Sequence, residues 1–181
     1  MLGTGRLLLC PVSGADLADL IALKADPRVF AVMQGGVRLA QRTMAELADD
    51  IAFWARRGVG MWSARLRADR RFVGIAGVME RADGLGLALR FALWPEARGQ
   101  GLAREAAGAV LRFAHEEAGI ARLIAVARAD NFASRMVLGG IGMREVSHFA
   151  RDGTLLLVYQ SDRLLGALAT GALATKSMPS K

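Results

Sequence analysis

A single cysteine, Cys10, stands in 181 residues, and two histidines, His115 and His148, are the other soft metal ligands. One thiol excludes an internal disulfide framework, and no Cys/His cluster has the spacing of a zinc site, so no metal is expected. Placed after Leu7, Leu8 and Leu9, Cys10 reads as a small buried hydrophobe. Long apolar runs are missing too. Hydrophobic residues make up 53%, but alanine inflates that share. No window approaches the roughly 18 unbroken apolar residues of a membrane span, and the nearest stretch, 164–174, is too short. Leu7 to Val12 is too short for a signal peptide and Pro11 interrupts it, so a cytoplasmic location away from membranes is expected. A nucleic-acid reader motif, or a basic stripe interleaved with aromatics, is also lacking, so direct nucleic-acid binding is not expected. What remains is a scattered excess of 24 Lys and Arg over 17 Asp and Glu, net charge +7. It suits an anionic ligand and sits badly with a polycationic one.

The length fits one domain with a proper core. The short apolar run Leu7 to Val12 reads as a first strand, ended by Pro11. Ser13 to Asp16 approximates a capping box, followed by Leu17, Leu20, Ile21 and Ala25 at helical spacing, with Pro27 as the stop. Thr43 to Glu46 repeats the capping pattern ahead of a second helix, whose buried stripe is Leu47, Ile51 and Trp54 and which ends near Gly58. From Gly60 the period changes to two. Met61 to Arg67 and Phe72 to Met79 form a hairpin, and Asp83-Gly84 turns the chain into a third strand, Leu85 to Trp94. A helix follows from Ala103 to Glu117, with His115 expected on its surface. A short buried strand, Leu123 to Ala127, a helix, Asn131 to Gly139, and a hairpin of Arg144 to Phe149 and Thr154 to Gln160 complete the order β-α-α-β-β-β-α-β-α-β-β. Residues 1–165 are expected to form the domain, and 166–181 a disordered tail.

Between the third strand and the long helix lies Arg98-Gly99-Gln100-Gly101-Leu102-Ala103, followed by Arg104. A glycine-rich turn that feeds a helix start exposes unpaired backbone N–H groups at the positive end of a helix dipole, which is a phosphate cradle. The spacing of a Walker loop is absent, and Arg104 stands where a dinucleotide fingerprint needs its third glycine. The segment instead fits R/Q-x-x-G-x-G/A through Arg98, Gly101 and Ala103. There the chain resembles the GNAT superfamily of acetyl-CoA-dependent N-acetyltransferases, and the element order agrees over about residues 3 to 162. A second segment, Asp130-Asn131-Phe132-Ala133-Ser134 with Val137-Leu138 and closing Gly140 to Met143, resembles the D-N-x-x-S-x-x-V-L-x-x-x-G-F stretch of one branch. That branch contains the acetyltransferases of ribosomal-protein N-termini. The opening Leu2 to Pro11 and Trp94-Pro95-Glu96 resemble it as well.

The resemblance implies an α/β (α+β) fold with a mixed, mostly antiparallel central sheet of about seven strands, splayed at a cofactor cleft and flanked by about four helices. It implies acetyl-CoA as cosubstrate, with the pyrophosphate on Arg98, Gly99, Gln100, Gly101, Leu102, Ala103 and Arg104. The pantetheine arm is then expected along Phe91, Ala92 and Leu93, with Asn131 and Ser134 beside it. The expected reaction is direct transfer of acetyl to a primary amine, either a protein N-terminal amine or a small molecule. A non-catalytic acyl-CoA-binding regulator is the alternative from another class. Many relatives carry an acid tyrosine seven residues beyond the asparagine. Leu138 holds that place here, so Ser134 is the candidate acid. Glu80, at the end of a strand, is the candidate base, against the plainer reading of a solvated carboxylate. His148 is a weaker substrate-facing candidate, and Trp62 and Trp94 are candidates to border the acceptor cleft. Relatives also make a homodimer an open expectation.

Overall fold

The computed structural model describes residues 1–163, so the expected tail and the stretch 164–174 lie outside the described residues. Its elements are β1 (Leu2–Gly3), β2 (Leu7–Pro11), α1 (Leu17–Ala25), α2 (Pro27–Phe30), α3 (Ala40–Arg57), β3 (Met61–Leu66), β4 (Phe72–Glu80) and β5 (Leu87–Leu93). After the glycine-rich loop come α4 (Leu102–Glu116), β6 (Arg122–Arg128), α5 (Phe132–Gly140), β7 (Arg144–Arg151) and β8 (Thr154–Asp162). The eight strands form one open sheet in the order β1-β2-β3-β4-β5-β6-β8-β7, and only β5 and β6 run parallel. The expected order holds. Two short elements raise the counts: the two-residue β1, and α2, because Pro27 occupies the first turn of a new helix instead of only stopping the old one.

Helices cover both faces of the sheet. On one face α4 contributes Leu102, Ala106, Ala107 and Val110, whose small side chains bring it close to Trp62, Ala76, Leu89 and Leu93, and Leu138 of α5 joins that core. On the other face Leu20, Leu23, Phe30 and Leu47 pack on Met61, Ile75 and Ala92. The alternation along β4 changes step at a bulge by Val73 and Gly74, which places Phe72 and Ile75 on one face and Val73 and Ala76 on the other. Gly74 is required there. Its φ is +148°, and a Cβ would lie 2.2 Å from the Ala92 carbonyl oxygen.

Several expectations change at this level. Trp62 is 1% exposed and stands edge-on to Trp54 and Phe113, with centroids at 4.6 and 5.4 Å, so it is core and does not border the cleft. His115 is not on the surface: it is buried, with Nδ1 2.7 Å from the Ile120 carbonyl and Nε2 3.0 Å from the Ser161 hydroxyl. The capping box at Thr43 does not form. The helix starts at Ala40, Thr43 is buried within it, and Glu46 points to an ion cluster. Asp16 does accept from the Ser13 N–H at 3.0 Å, as the first capping pattern predicts.

Candidate active site

β5 and β6 pair only at Ala88 and Ile124, and beyond that bridge the two parallel strands separate. The Trp94 N–H donates to the Val73 carbonyl at 3.0 Å, which fixes the ladder phase. Ala92 and Arg90 therefore spend their backbone groups on Ile75 and Gly77 of β4, while those of Phe91 and Leu93 face the gap. The structure thus separates the three expected strand positions. Phe91 and Leu93 line the splay, whereas Ala92 turns its backbone to β4 and its side chain into the core.

At the upper end of the splay, Gly99 and Gly101 adopt φ of +73° and +75°. Among the described residues, the N–H groups of Gly99 to Arg104 meet no acceptor, and no side chain caps α4. Six consecutive donors at a helix N-terminus form an anion cradle. Its rim is braced. Arg98 donates through Nε and Nη2 to the Leu93 carbonyl at 3.3 and 3.2 Å, and through Nη2 to the Arg28 carbonyl at 3.1 Å. Gln100 donates to the Glu96 carbonyl at 3.0 Å. These two side chains hold the loop shape, so their part in ligand binding falls to the backbone. Arg6, a residue the sequence reading did not select, donates to the Gln100 carbonyl at 2.7 Å and pairs with Glu105 of α4 at 2.7 Å. An open cleft of about 700 Å³ adjoins the cradle along α4, and Arg6, Arg104 and Arg112 give it positive charge. The residues fit a pyrophosphate-bearing ligand with a further anionic end.

On the β6 side, the Asn131 Oδ1 caps α5 by accepting from the Ser134 N–H at 3.1 Å. Its Nδ2 and the Ser134 hydroxyl have no partner among the described residues. Capping and ligand contact are therefore compatible. Glu80 lies elsewhere. It pairs with Leu87, below the Ala88–Ile124 bridge, with a side chain 60% exposed and 3.7 Å from Arg57. His148 is exposed on β7 at the far edge of the sheet.

The face opposite α4 carries a charged cluster that the sequence reading missed. The Glu46 carboxylate accepts from Lys24 at 2.9 Å, Arg38 at 2.7 Å and Arg42 at 3.1 Å. Burial alone would raise its pKa, but Lys24 and Arg38 bring it down to about 2. Arg38 also donates to the carbonyls of Gly36 and Gln34, anchoring the segment between α2 and α3. Nearby, burial pushes Asp50 up to about 6 against the pull of Lys24 and Arg90. The signals were a lone arginine within the apolar strand Leu87 to Leu93 and an aspartate at helical spacing from Leu47 and Trp54. Ile51, expected in that stripe, is 40% exposed, and Asp50 takes the inward place.

The family model described as "Acetyltransferase (GNAT) domain" matches residues 6–144. The FsC-acetyl coenzyme A-N(2)-transacetylase of Aspergillus fumigatus is 41% identical over 59 residues, which cover 33% of this chain and 25% of that protein. The chain therefore aligns with only a quarter of that curated relative. Among solved structures, an acetyltransferase from Agrobacterium tumefaciens is 27% identical, with a TM-score of 0.77 over 88% of this chain and 92% of its own. The spermidine N-acetyltransferase of Vibrio cholerae, solved with CoA and spermine, shares the fold at 12% identity, with a TM-score of 0.74 over 88% of this chain and 97% of its own.

Proposed function

The chain belongs to the GNAT acetyltransferase family, and from that premise we propose that it transfers the acetyl group of acetyl-CoA directly to a primary amine. The observation that carries this reading is the junction of the splayed β5–β6 gap with the cradle of Gly99 to Arg104. Bound acetyl-CoA supplies an acetyl group activated as a thioester. The loop N–H groups hold its pyrophosphate, with Arg104 alongside. The backbone of Phe91 pairs with the pantetheine amides as a pseudo-strand, and the Leu93 N–H, whose own carbonyl is held by Arg98, polarises the thioester carbonyl. Asn131 offers its free Nδ2 to the same arm.

The amine nitrogen bonds to the acetyl carbon, the carbon–sulfur bond breaks, and Ser134 gives its hydroxyl proton to the departing sulfur. A thiolate leaves readily even without strong acid assistance, because thiol pKa values are about 8 to 9. Water takes the proton released by the amine and returns it to the Ser134 oxygen, so that the products are the amide and the free thiol. Glu80 takes no part in this reading, since it pairs with Leu87 below the bridge, six residues along β5 from Leu93. A protein N-terminal amine is one acceptor, in line with the branch resemblance. A small amine is the second, favoured by the short match to an N(2)-transacetylase. Release of free thiol from acetyl-CoA, measured against peptides and small amines, tests the proposal. Tight acetyl-CoA binding without turnover of any amine would sink it in favour of a binding regulator.

A further inference from the structure

Arg90 is the only charged side chain of β5. It alternates with Ala88 and Ala92 and lies against Phe30, so it projects from the face opposite α4, two residues past the last β5–β6 bridge. Burial pushes its pKa down. The guanidinium is half-buried, its unpartnered N–H donors are still reached by solvent, and its planar fork of five donors suits a carboxylate. Among the described residues no carboxylate oxygen lies within 4.0 Å of it. Its contacts are the Met79 sulfur at 3.7 Å and the Phe30 ring at 5.4 Å to the centroid.

Two carboxylates lie close enough for their charge to act on Arg90, namely Glu46 and Asp50. Glu46 is already shared by Lys24, Arg38 and Arg42. Asp50 is half-buried and pairs with no cation among the described residues. The cluster also has an excess of positive charge: Lys24 of α1, Arg38 before α3, Arg42 of α3 and Arg90 of β5 face Glu46 and Asp50, with Asp49 beside them. An unpaired guanidinium and an unpaired carboxylate therefore stand on the same face of the sheet, opposite α4, one calling for an anion and the other for a cation.

We infer that Arg90 and Asp50 form the subsite for an acceptor that carries a carboxylate as well as its amine, a free amino acid in chemical class. The guanidinium forks onto the acceptor carboxylate, and Asp50 receives the ammonium before the proton is lost. This rests on the acetyl-transfer reading, and it narrows the choice of amine. A polyamine would set a second cation against Arg90. A peptide N-terminus offers it only a neutral amide.

The test is direct binding, which needs no turnover. The full chain saturated with CoA is titrated by calorimetry with α-, β- and ω-amino acids and, separately, with their carboxamides. At least one acid should bind roughly 10- to 100-fold more tightly than its amide. Arg90→Gln should erase that difference, Arg90→Lys should restore part of it, and Asp50→Asn should weaken acids and amides alike, with CoA affinity unchanged throughout. Equal binding of acid and amide, no binding of any acid, or a preference that survives Arg90→Gln overturns the inference. If Arg90→Gln does not fold, the comparison on the unaltered chain decides. Turnover of amides or polyamines but not of acids would sink this subsite and leave the transferase reading standing. Absence of turnover with every amine would sink the transferase reading, while the acid-over-amide comparison still judges the subsite.

Discussion

Replacing Glu46 by Gln should be among the most destabilising single changes that keep side-chain volume. Its carboxylate neutralises two cations whose side chains are only 4% and 3% exposed, Lys24 and Arg38, and it reaches Arg42 as well. Glutamine would still accept a hydrogen bond but leave both buried charges uncompensated, and breaking such a pair costs about 3–5 kcal/mol. Linkage gives a similar figure. The folded pKa of about 2 lies below the ordinary 4.5, and at 1.36 kcal/mol per pH unit that interval corresponds to roughly 3 kcal/mol. Because the folded pKa is depressed, the contribution is complete above pH 4.5 and is lost as the pH falls toward 2. Urea unfolding of both proteins from neutral pH downward measures it. The variant should be less stable by about 3 kcal/mol at pH 7, with a gap that begins to close below pH 4.5. Amide exchange should rise at Gln34 to Arg38, where Arg38 ties the segment. A variant within about 0.5 kcal/mol of the parent, the range of ordinary surface changes, would refute the reasoning. A gap that stays flat as the solution is acidified below pH 4.5 would do the same.

Asp50→Asn should act in the opposite sense. The folded pKa of about 6 exceeds 3.8, so the charged carboxylate costs stability above pH 6 and nothing below 3.8; thermal melts should show the variant gaining at pH 8 and matching the parent in acid. Gly101→Val should weaken acetyl-CoA binding in calorimetry and lower stability by about 1–2 kcal/mol, because φ is +75° while Arg6, at 3.5 Å, leaves room for a Cβ. Gly74→Ala should destabilise by more than that strain alone and reduce soluble yield, since its Cβ would meet the Ala92 carbonyl oxygen at 2.2 Å. Ser134→Ala should lower kcat about 100-fold while leaving KM for acetyl-CoA unchanged, the low end for a general acid because a thiolate leaves readily. An equal rise in KM would instead mark it as a binding group.

Much of the fold was legible because local signals and global arrangement agree. The change of period at Gly60, the Asp83-Gly84 turn and the glycine-rich step into α4 are each written in a few adjacent residues. The donor side of the site was legible for the same reason. A phosphate cradle is backbone made by a short segment, and Asn131 caps α5 by accepting from the N–H of Ser134 three residues on. Helix starts without a side-chain cap, such as Leu39 before α3, carried no such mark, and Thr43-x-x-Glu46 imitated one.

The sequence by itself determined the order of elements, the anion cradle at Gly99 to Arg104 and the family to which they belong. It could not determine which charges lose water. Asp50 and Ile51 both fit the stripe of Leu47 and Trp54, and only the packing of α3 on α1 and the sheet turns the aspartate inward. Arg90 was visible as an interruption of an apolar strand, yet its missing partner is a fact about Glu46, Lys24, Arg38 and Arg42, brought together from separate segments. Desolvation and long-range charge depend on what surrounds a side chain in space. The glycine-rich cradle was therefore legible in the sequence, while the charged cluster on the opposite face took form only in the tertiary structure.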